Sequence, residues 1–332
     1  MKNILGRKSS LIIVVMMILA LLLSACGSNS AGGSGEGESS YPEKTIKLIV
    51  PWAAGGDSDV IARITNKYLE EELGQKIIVT NIGGAGGAVG AQEALATEPD
   101  GYTLFAGNDS MAVSYLMGKT DFSYFEFEPV NLMTTANQLI ATHIDNDWNT
   151  MADVVEDLKA NPESISFGAT IGSTTHIVPL GIMDKTDTKF NIVSYEGTAV
   201  RTQALLGNHL QLGSTTIPAA KEYLKAGQLK MLGIASAERN PALPDIPTLK
   251  EQGIDFVNAT NRGYFFPKGT PQEIVKAMND AMKKVAENPD YIKEMEDMGV
   301  DVNFMGTEDY TKYLQDDVAY LEEMLKRQEV IE

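Results

Sequence analysis

The chain has 332 residues, 45 acidic against 27 basic side chains, and a formal net charge of −18. That balance repels nucleic acid and anionic membrane surfaces over a Debye length and so excludes the polyanion-binding classes. It does not forbid a small anionic ligand, because such sites are built from local amides and hydroxyls. A single cysteine, Cys26, rules out an internal disulfide and a zinc–thiolate site.

The N-terminus reads as a targeting segment. Lys2, Arg7 and Lys8 precede an unbroken apolar run from Leu11 to Leu23, which has signal-peptide length and is short for a spanning helix. Leu23-Ser24-Ala25-Cys26 resembles the cleavage box of a bacterial lipoprotein. The resemblance implies removal of residues 1–25 and a lipid on Cys26, with the mature protein anchored extracytoplasmically on the cell membrane. Losing those three positive charges takes the mature chain from −18 to near −21. Residues 26–40 are Gly/Ser-rich and read as a flexible tether, leaving about 290 residues, enough for two ordinary domains.

Ile46–Val50 is a short β-branched run stopped by Pro51. Trp52-Ala53-Ala54-Gly55-Gly56 follows as a small-residue loop, and Asp57, Ser58 and Asp59 are good caps for the helix carrying Val60, Ile61, Ile64 and Tyr68. Strand, glycine loop and helix N-terminus together form an anion-binding arrangement. The unit then recurs. Lys76–Thr80 is a strand before the loop Asn81–Gly87, Ala88–Leu95 a short helix, and Tyr102–Ala106 a strand before Gly107-Asn108-Asp109-Ser110. Pro129–Thr134 and Gln138–His143 read as further strands.

A second half opens with the amphipathic helix Thr150–Ala160. Its strands are Ser164–Phe167, Asn191–Tyr195, Leu210–Ser214 and Leu229–Ala235, and a third hydroxyl-rich loop runs from Gly168 to His176. Glu196-Gly197-Thr198 opens another helix, and Pro218–Ala226 is helical. Asn261–Phe266 returns the chain to the first half, and the C-terminus is helical, with Ile274, Met278, Met282 and Val285 on one face and Tyr310, Leu314, Leu321 and Leu325 on another. The expected fold is α/β, two Rossmann-like lobes with mostly parallel sheets and a ligand cleft between them at the C-terminal strand ends. Lobe 1 is expected to comprise residues 41–143 and 262–332, and lobe 2 residues 144–261.

Enzyme motifs are missing. None of the strand-end glycine loops is followed by the Lys-Ser or Lys-Thr of a phosphate-binding loop, and Val89 stands where a dinucleotide fingerprint needs its third glycine. There is no G-x-S-x-G elbow. His143, His176 and His209 are scattered without metal-ligand spacing, so no metal or cofactor is expected. His176 alone closes a hydroxyl-rich loop. Asp57 and Asp59 read as caps before they read as an acid–base pair, and Trp52 is either a stacking wall or a plug.

Val50-Pro51-x-Ala53-Ala54-Gly55-Gly56-x-x-Asp59-x-x-Ala62-Arg63, preceded by Tyr41-Pro42-x-Lys44, resembles the opening of the substrate-binding proteins of tripartite tricarboxylate transporters, the Bug-type receptors. The resemblance continues through Asn81-x-x-Gly84-Ala85-Gly86-Gly87, Asp100-Gly101-Tyr102-Thr103-Leu104, Ser173-Thr174-x-His176, Tyr195-x-Gly197, Leu205-Leu206-Gly207, Lys225–Leu229, Arg239–Thr248 and Gly269–Val275. It implies a periplasmic-binding-protein (Venus flytrap) architecture that closes on a small di- or tricarboxylate-like ligand and delivers it to one large and one small integral-membrane permease subunit.

By that resemblance Ala53, Ala54, Gly55 and Gly56 hold a carboxylate through backbone amides, with Asn108, Asp109 and Ser110 beside them. Thr170, Ser173, Thr174, Thr175, His176, Tyr195 and Gly197 form the opposing jaw. Trp52, Asp59, Ser214 and Thr215 complete the candidate set. Two departures stand out: Ile82-Gly83 replaces a basic residue and proline at the cleft rim, and Gly213–Thr216 lacks the acidic and aromatic residues of many relatives. A ligand with carboxylates but no essential ammonium group fits that pattern. The competing readings are a sensing subunit for a signalling partner and an α/β enzyme, since fold does not fix function.

Overall fold

A computed structural model of the protein describes residues 41–332; the signal segment expected at 1–25, the tether expected at 26–40 and Cys26 lie outside the described residues. The first sheet is built from β1 (Ile46–Val50), β2 (Ile77–Asn81), β3 (Thr103–Asn108), β4 (Phe127–Asn137), β10 (Ala259–Pro267) and β11 (Asp301–Met305), in the order β11-β4-β10-β3-β1-β2. The second contains β5 (Leu139–His143), β6 (Ser166–Ala169), β7 (Asn191–Ser194), β8 (Leu212–Thr215) and β9 (Leu229–Ile234), ordered β7-β6-β8-β5-β9.

Both sheets are mixed rather than mostly parallel. The parallel part is β1 with β2 and β3 in one sheet, and β6 with β7 and β8 in the other. The strands that carry the chain between sheets pair antiparallel: β10 with β3 and β4, and β5 with β8 and β9. Gln138 is the outbound crossing and Asn258 the return. They are tied by Gln138 N–H to Asn258 O at 3.2 Å and by Ala235, which bonds to both. β5 lies in the second sheet, although residues 139–143 are expected from sequence in lobe 1, and residues 259–261, expected in lobe 2, belong to β10 of the first sheet.

The first sheet is covered on both faces, which is why its strands are apolar at successive positions. Leu48, Val50, Tyr264 and Phe266 face α1 (Asp57–Leu73), α8 (Gln272–Ala286) and α9 (Pro289–Asp297). Ile49, Phe105 and Phe265 face α2 (Ala88–Leu95), α3 (Ser110–Leu116) and α10 (Thr307–Arg327). On that second face Phe105, Phe127, Phe265 and Tyr310 form one aromatic cluster with centroids 5.2–6.2 Å apart.

α10 joins the layers. Tyr310 and Leu314 pack on the first sheet, and farther along Arg327 grips Asp184 of α5 (Thr174–Thr186) through Nε–Oδ1 at 3.0 Å and Nη2–Oδ2 at 3.2 Å. α4 (Met151–Ala160) opens with a capping box between Thr150 and Asp153. α6 (Thr198–Leu206) and α7 (Ile217–Lys225) complete the second layer. Among the described residues no helix is long and apolar enough to cross a membrane.

One glycine shows how the opening unit is seated. A Cβ at Gly90 in α2 would stand 2.5 Å from Ile82 O and 2.8 Å from Pro51 Cα, so only glycine lets α2 lie against the end of β1.

Candidate ligand-binding cleft

A cavity of about 260 Å³ lies between the two sheets, at the C-terminal ends of their parallel strands. From the first sheet come Trp52, Ala53, Ala54, Gly55, Gly56, Asn108 and Ser110; from the second come Thr170, Ser173, Thr174, Thr175 and Gly197. All twelve are among the expected site residues. The first-turn or cap residues of α1, α5, α6 and α7 line this one space. Four helix N-termini thus converge, and their aligned peptide dipoles favour negative charge in the cavity of an otherwise acidic protein.

The glycine loop is held from behind by Asp59. Its Oδ2 accepts from Gly55 N at 2.8 Å, while Oδ1 accepts from Asn81 Nδ2 at 2.8 Å and Arg63 Nε at 2.9 Å. Neither aspartate is the helix cap expected from sequence: Gly56 occupies that position without a side-chain bond. The opposing jaw is equally braced. Thr170 Oγ1 donates to Tyr195 O at 2.7 Å and accepts from Gly197 N at 3.1 Å, and Ser173 Oγ accepts from Thr175 N as the cap of α5. The jaws also touch, through Ser114 Oγ to Gly172 O at 2.7 Å and Thr174 N to Ser110 Oγ at 3.3 Å.

Six expected residues stand outside the cavity wall. Asp59 is consumed by the loop. Tyr195 packs beside Leu205 and Leu210 and offers its backbone. Ser214 and Thr215 are the last two residues of β8, buried in a strand flanked by β6 and β5. His176 is buried within α5, where desolvation first and the Lys119 charge second push its pKa down to about 4, so it is neutral at pH 7. Asp109 is turned away, its Oδ2 accepting from Asn261 N at 3.0 Å and Nδ2 at 2.8 Å.

Burial, then the nearby Asp317 charge, holds the Asp109 carboxyl well above the usual range, and burial raises Asp317 to about 7 against a hydrogen bond from Tyr124. Both carboxyls have raised folded-state values, so the folded protein keeps protons that the unfolded chain has lost. The Asp317 contribution to stability therefore falls as pH rises between about pH 4 and about pH 7 and is flat above, and Asp109 adds a decline of the same sign. Asp317→Asn should remove that descent: calorimetry should find its Tm several degrees above the parent at pH 8 and not at pH 4. Equal shifts at both pH values would refute it.

Sequence reasoning missed the arginines. Arg262 Nη2 meets Asp57 Oδ2 at 2.8 Å and its Nε meets Ser58 Oγ at 3.2 Å. Arg201 is 1% exposed in α6, and both line the cavity. A charge inside the apolar strand of β10, and an arginine one helical turn before Leu205 of the buried face of α6, were the available signals. Gln138, Glu196, Thr198, Ala199, Val200, Thr216 and Thr260 also line the cavity.

A family model described as "Tripartite tricarboxylate transporter family receptor" matches residues 61–330. The UPF0065 protein of the gbd 5' region of Cupriavidus necator is 30% identical over 282 residues, covering 84% of this chain and 85% of that protein. A solved periplasmic transporter superposes with a TM-score of 0.81 at 31% identity, covering 88% of this chain and 99% of that one. MatC of Rhodopseudomonas palustris, solved with bound malate, superposes with a TM-score of 0.78 at 25% identity over 86% and 100% of the two chains. The fold is thus the two-lobed α/β architecture of periplasmic binding proteins, with two mixed sheets. Strand-end loops around a shared cleft and a match through almost the whole described chain lead to one conclusion: the chain belongs to the tripartite tricarboxylate transporter receptor family, whose members bind solutes rather than transform them.

Proposed function

We propose that the protein is a lipid-anchored extracytoplasmic receptor that captures a small organic carboxylate between its lobes and delivers it to the large and small membrane subunits of a permease. The observation that carries the reading is the convergence of four helix N-termini and a ring of threonine and serine hydroxyls on one cavity. Amide and hydroxyl donors satisfy carboxylate oxygens with charge-assisted hydrogen bonds. Gly55 N and Gly56 N are already bonded within the loop, which leaves Ala53 and Ala54 to offer its amides to a ligand. Malate bound in MatC supports a carboxylate ligand. The signal at 1–25, the tether at 26–40 and a lipid on Cys26 supply the anchor in this reading, and the lobes close about Gln138 and Asn258 as a hinge.

Thermal shift of the purified protein against a carboxylate panel tests the ligand class, because a ligand present at 100 times its Kd stabilises by about 2.7 kcal/mol. A rise in Tm with at least one acid of the panel is expected. Tight binding of amino acids with no response to any di- or tricarboxylate would refute a ligand without an ammonium group. Cys26→Ser should release the protein from the membrane fraction.

A further inference from the structure

Arg201 is the largest side chain wholly buried among the described residues, and the mechanism of capture through amides leaves it without a role. Its Nε donates to Ser214 O at 2.7 Å and its Nη2 to Thr198 Oγ1 at 3.3 Å, while Nη1 is buried with no partner. No carboxylate neutralises it: Asp57, the acid whose charge it feels, is committed to Arg262 at 2.8 Å. Burial lowers its pKa to about 10, which still leaves it charged at neutral pH. A buried guanidinium with neutral partners and an idle N–H is unfavourable until an anion arrives, and Arg201 lines the cleft cavity.

A second space of about 590 Å³ adjoins the first along Gly55–Asp57 and Thr198–Val200. Its further wall is mainly Val60, Pro218, Ala219, Tyr223 and Met298, with Thr202 and Gln203 as neutral polar groups. Asp57 is its one charged lining residue, so this space has no cation of its own. We propose that the ligand is an amphipathic carboxylate, with its carboxylate on Arg201 and its uncharged chain or ring running past Thr198–Val200 into the outer space. The inference rests on the carboxylate-receptor reading and narrows it to one-ended acids: a second carboxylate in the outer space would find no basic residue in the wall to pair with, and Asp57, held by Arg262, offers it none.

Calorimetric titration of the purified protein with octanoate, adipate and malate tests it, in the parent, Arg201→Gln, Arg201→Lys and Ala219→Trp. Octanoate should bind the parent at least tenfold tighter than adipate. Arg201→Gln should weaken octanoate at least 100-fold while the unliganded Tm stays equal or rises, and Arg201→Lys should recover only part of the loss. Ala219→Trp, filling the outer wall, should cut the preference for octanoate over malate at least tenfold. Octanoate binding within threefold of the parent in Arg201→Gln overturns the inference, as does a parent that prefers adipate or malate. If the folded parent binds no carboxylate at all, the receptor reading itself fails, a result separate from malate binding without octanoate.

Discussion

Asp59→Ala should destabilise the protein by about 2–4 kcal/mol and weaken ligand capture more than tenfold, because three charge-assisted hydrogen bonds worth roughly 1.5 kcal/mol or more each are removed and only the arginine's is recovered in water. The carboxylate is 2% exposed and ties Gly55 of the loop, Arg63 of α1 and Asn81 of β2. Asn81 in turn donates to Trp52 O at 3.1 Å, so both ends of the loop hang on one side chain. Burial raises its pKa, but the bonds from Arg63, Gly55 and Asn81 outweigh this and hold it below the usual value. A depressed acid stabilises above its unfolded pKa, and that contribution fades as pH falls below about 4 through the folded value. Urea unfolding should show the full deficit at pH 7 and a smaller one at pH 3; a deficit under about 0.5 kcal/mol at pH 7 would mean the loop does not depend on this carboxylate.

The site gains its positive character locally, against the net charge of the chain. Arg201 carries a burial cost of roughly 3 kcal/mol, taken from the lowering of its pKa from 12.5 to about 10 at 1.36 kcal/mol per tenfold. That cost is borne by the empty protein and relieved when an anion binds, so stability and affinity are set against each other at this residue. Asp57 and Arg262 cancel each other, and Glu196 on the cavity wall is solvent-exposed, which leaves Arg201 as the buried uncompensated charge beside the helix N-termini.

The opening strand–loop–helix, the hydroxyl-rich loop before α5 and the return of the chain at β10 were legible in the sequence because each is a local pattern: a β-branched run, small residues, then a helix start. β11 was not, since Val302 and Phe304 give only two alternating apolar residues between two helices. His176 was misplaced for a related reason. Its position beside Ser173 and Thr174 suggests the loop, but α5 begins at Thr174 and its first turn carries the ring inward. Arg201 and Arg262 lie in a helix and a strand, and only the packing of β8, α6 and α1 brings them to the cleft. Loop chemistry can be read locally, whereas a charge buried by tertiary packing reads as a surface residue until its neighbours are known.

The pair Arg262–Asp57 tests that packing directly. Arg262→Met should cost about 3–5 kcal/mol, the usual result of leaving the partner of a buried ion pair alone. The ion-pair contact is 2.8 Å with side chains 9% and 16% exposed, and Arg262 Nη1 also donates to Thr260 O at 3.3 Å. Asp57 does further work across the cleft, since Thr216 Oγ1 of the second layer reaches its Oδ2 at 3.4 Å. Asp57→Asn alone should be milder, because the amide keeps one acceptor for Arg262 and Thr216. Together, Asp57→Asn and Arg262→Met should cost less than the sum of the two, with a coupling of about 1–3 kcal/mol in a double-mutant cycle from urea unfolding. Each of the three variants should also bind carboxylates more weakly, since Asp57 and Arg262 fix the start of α1 against the crossing strand β10. Additive single effects would show that the ion pair is incidental and that α1 is placed by its apolar face alone.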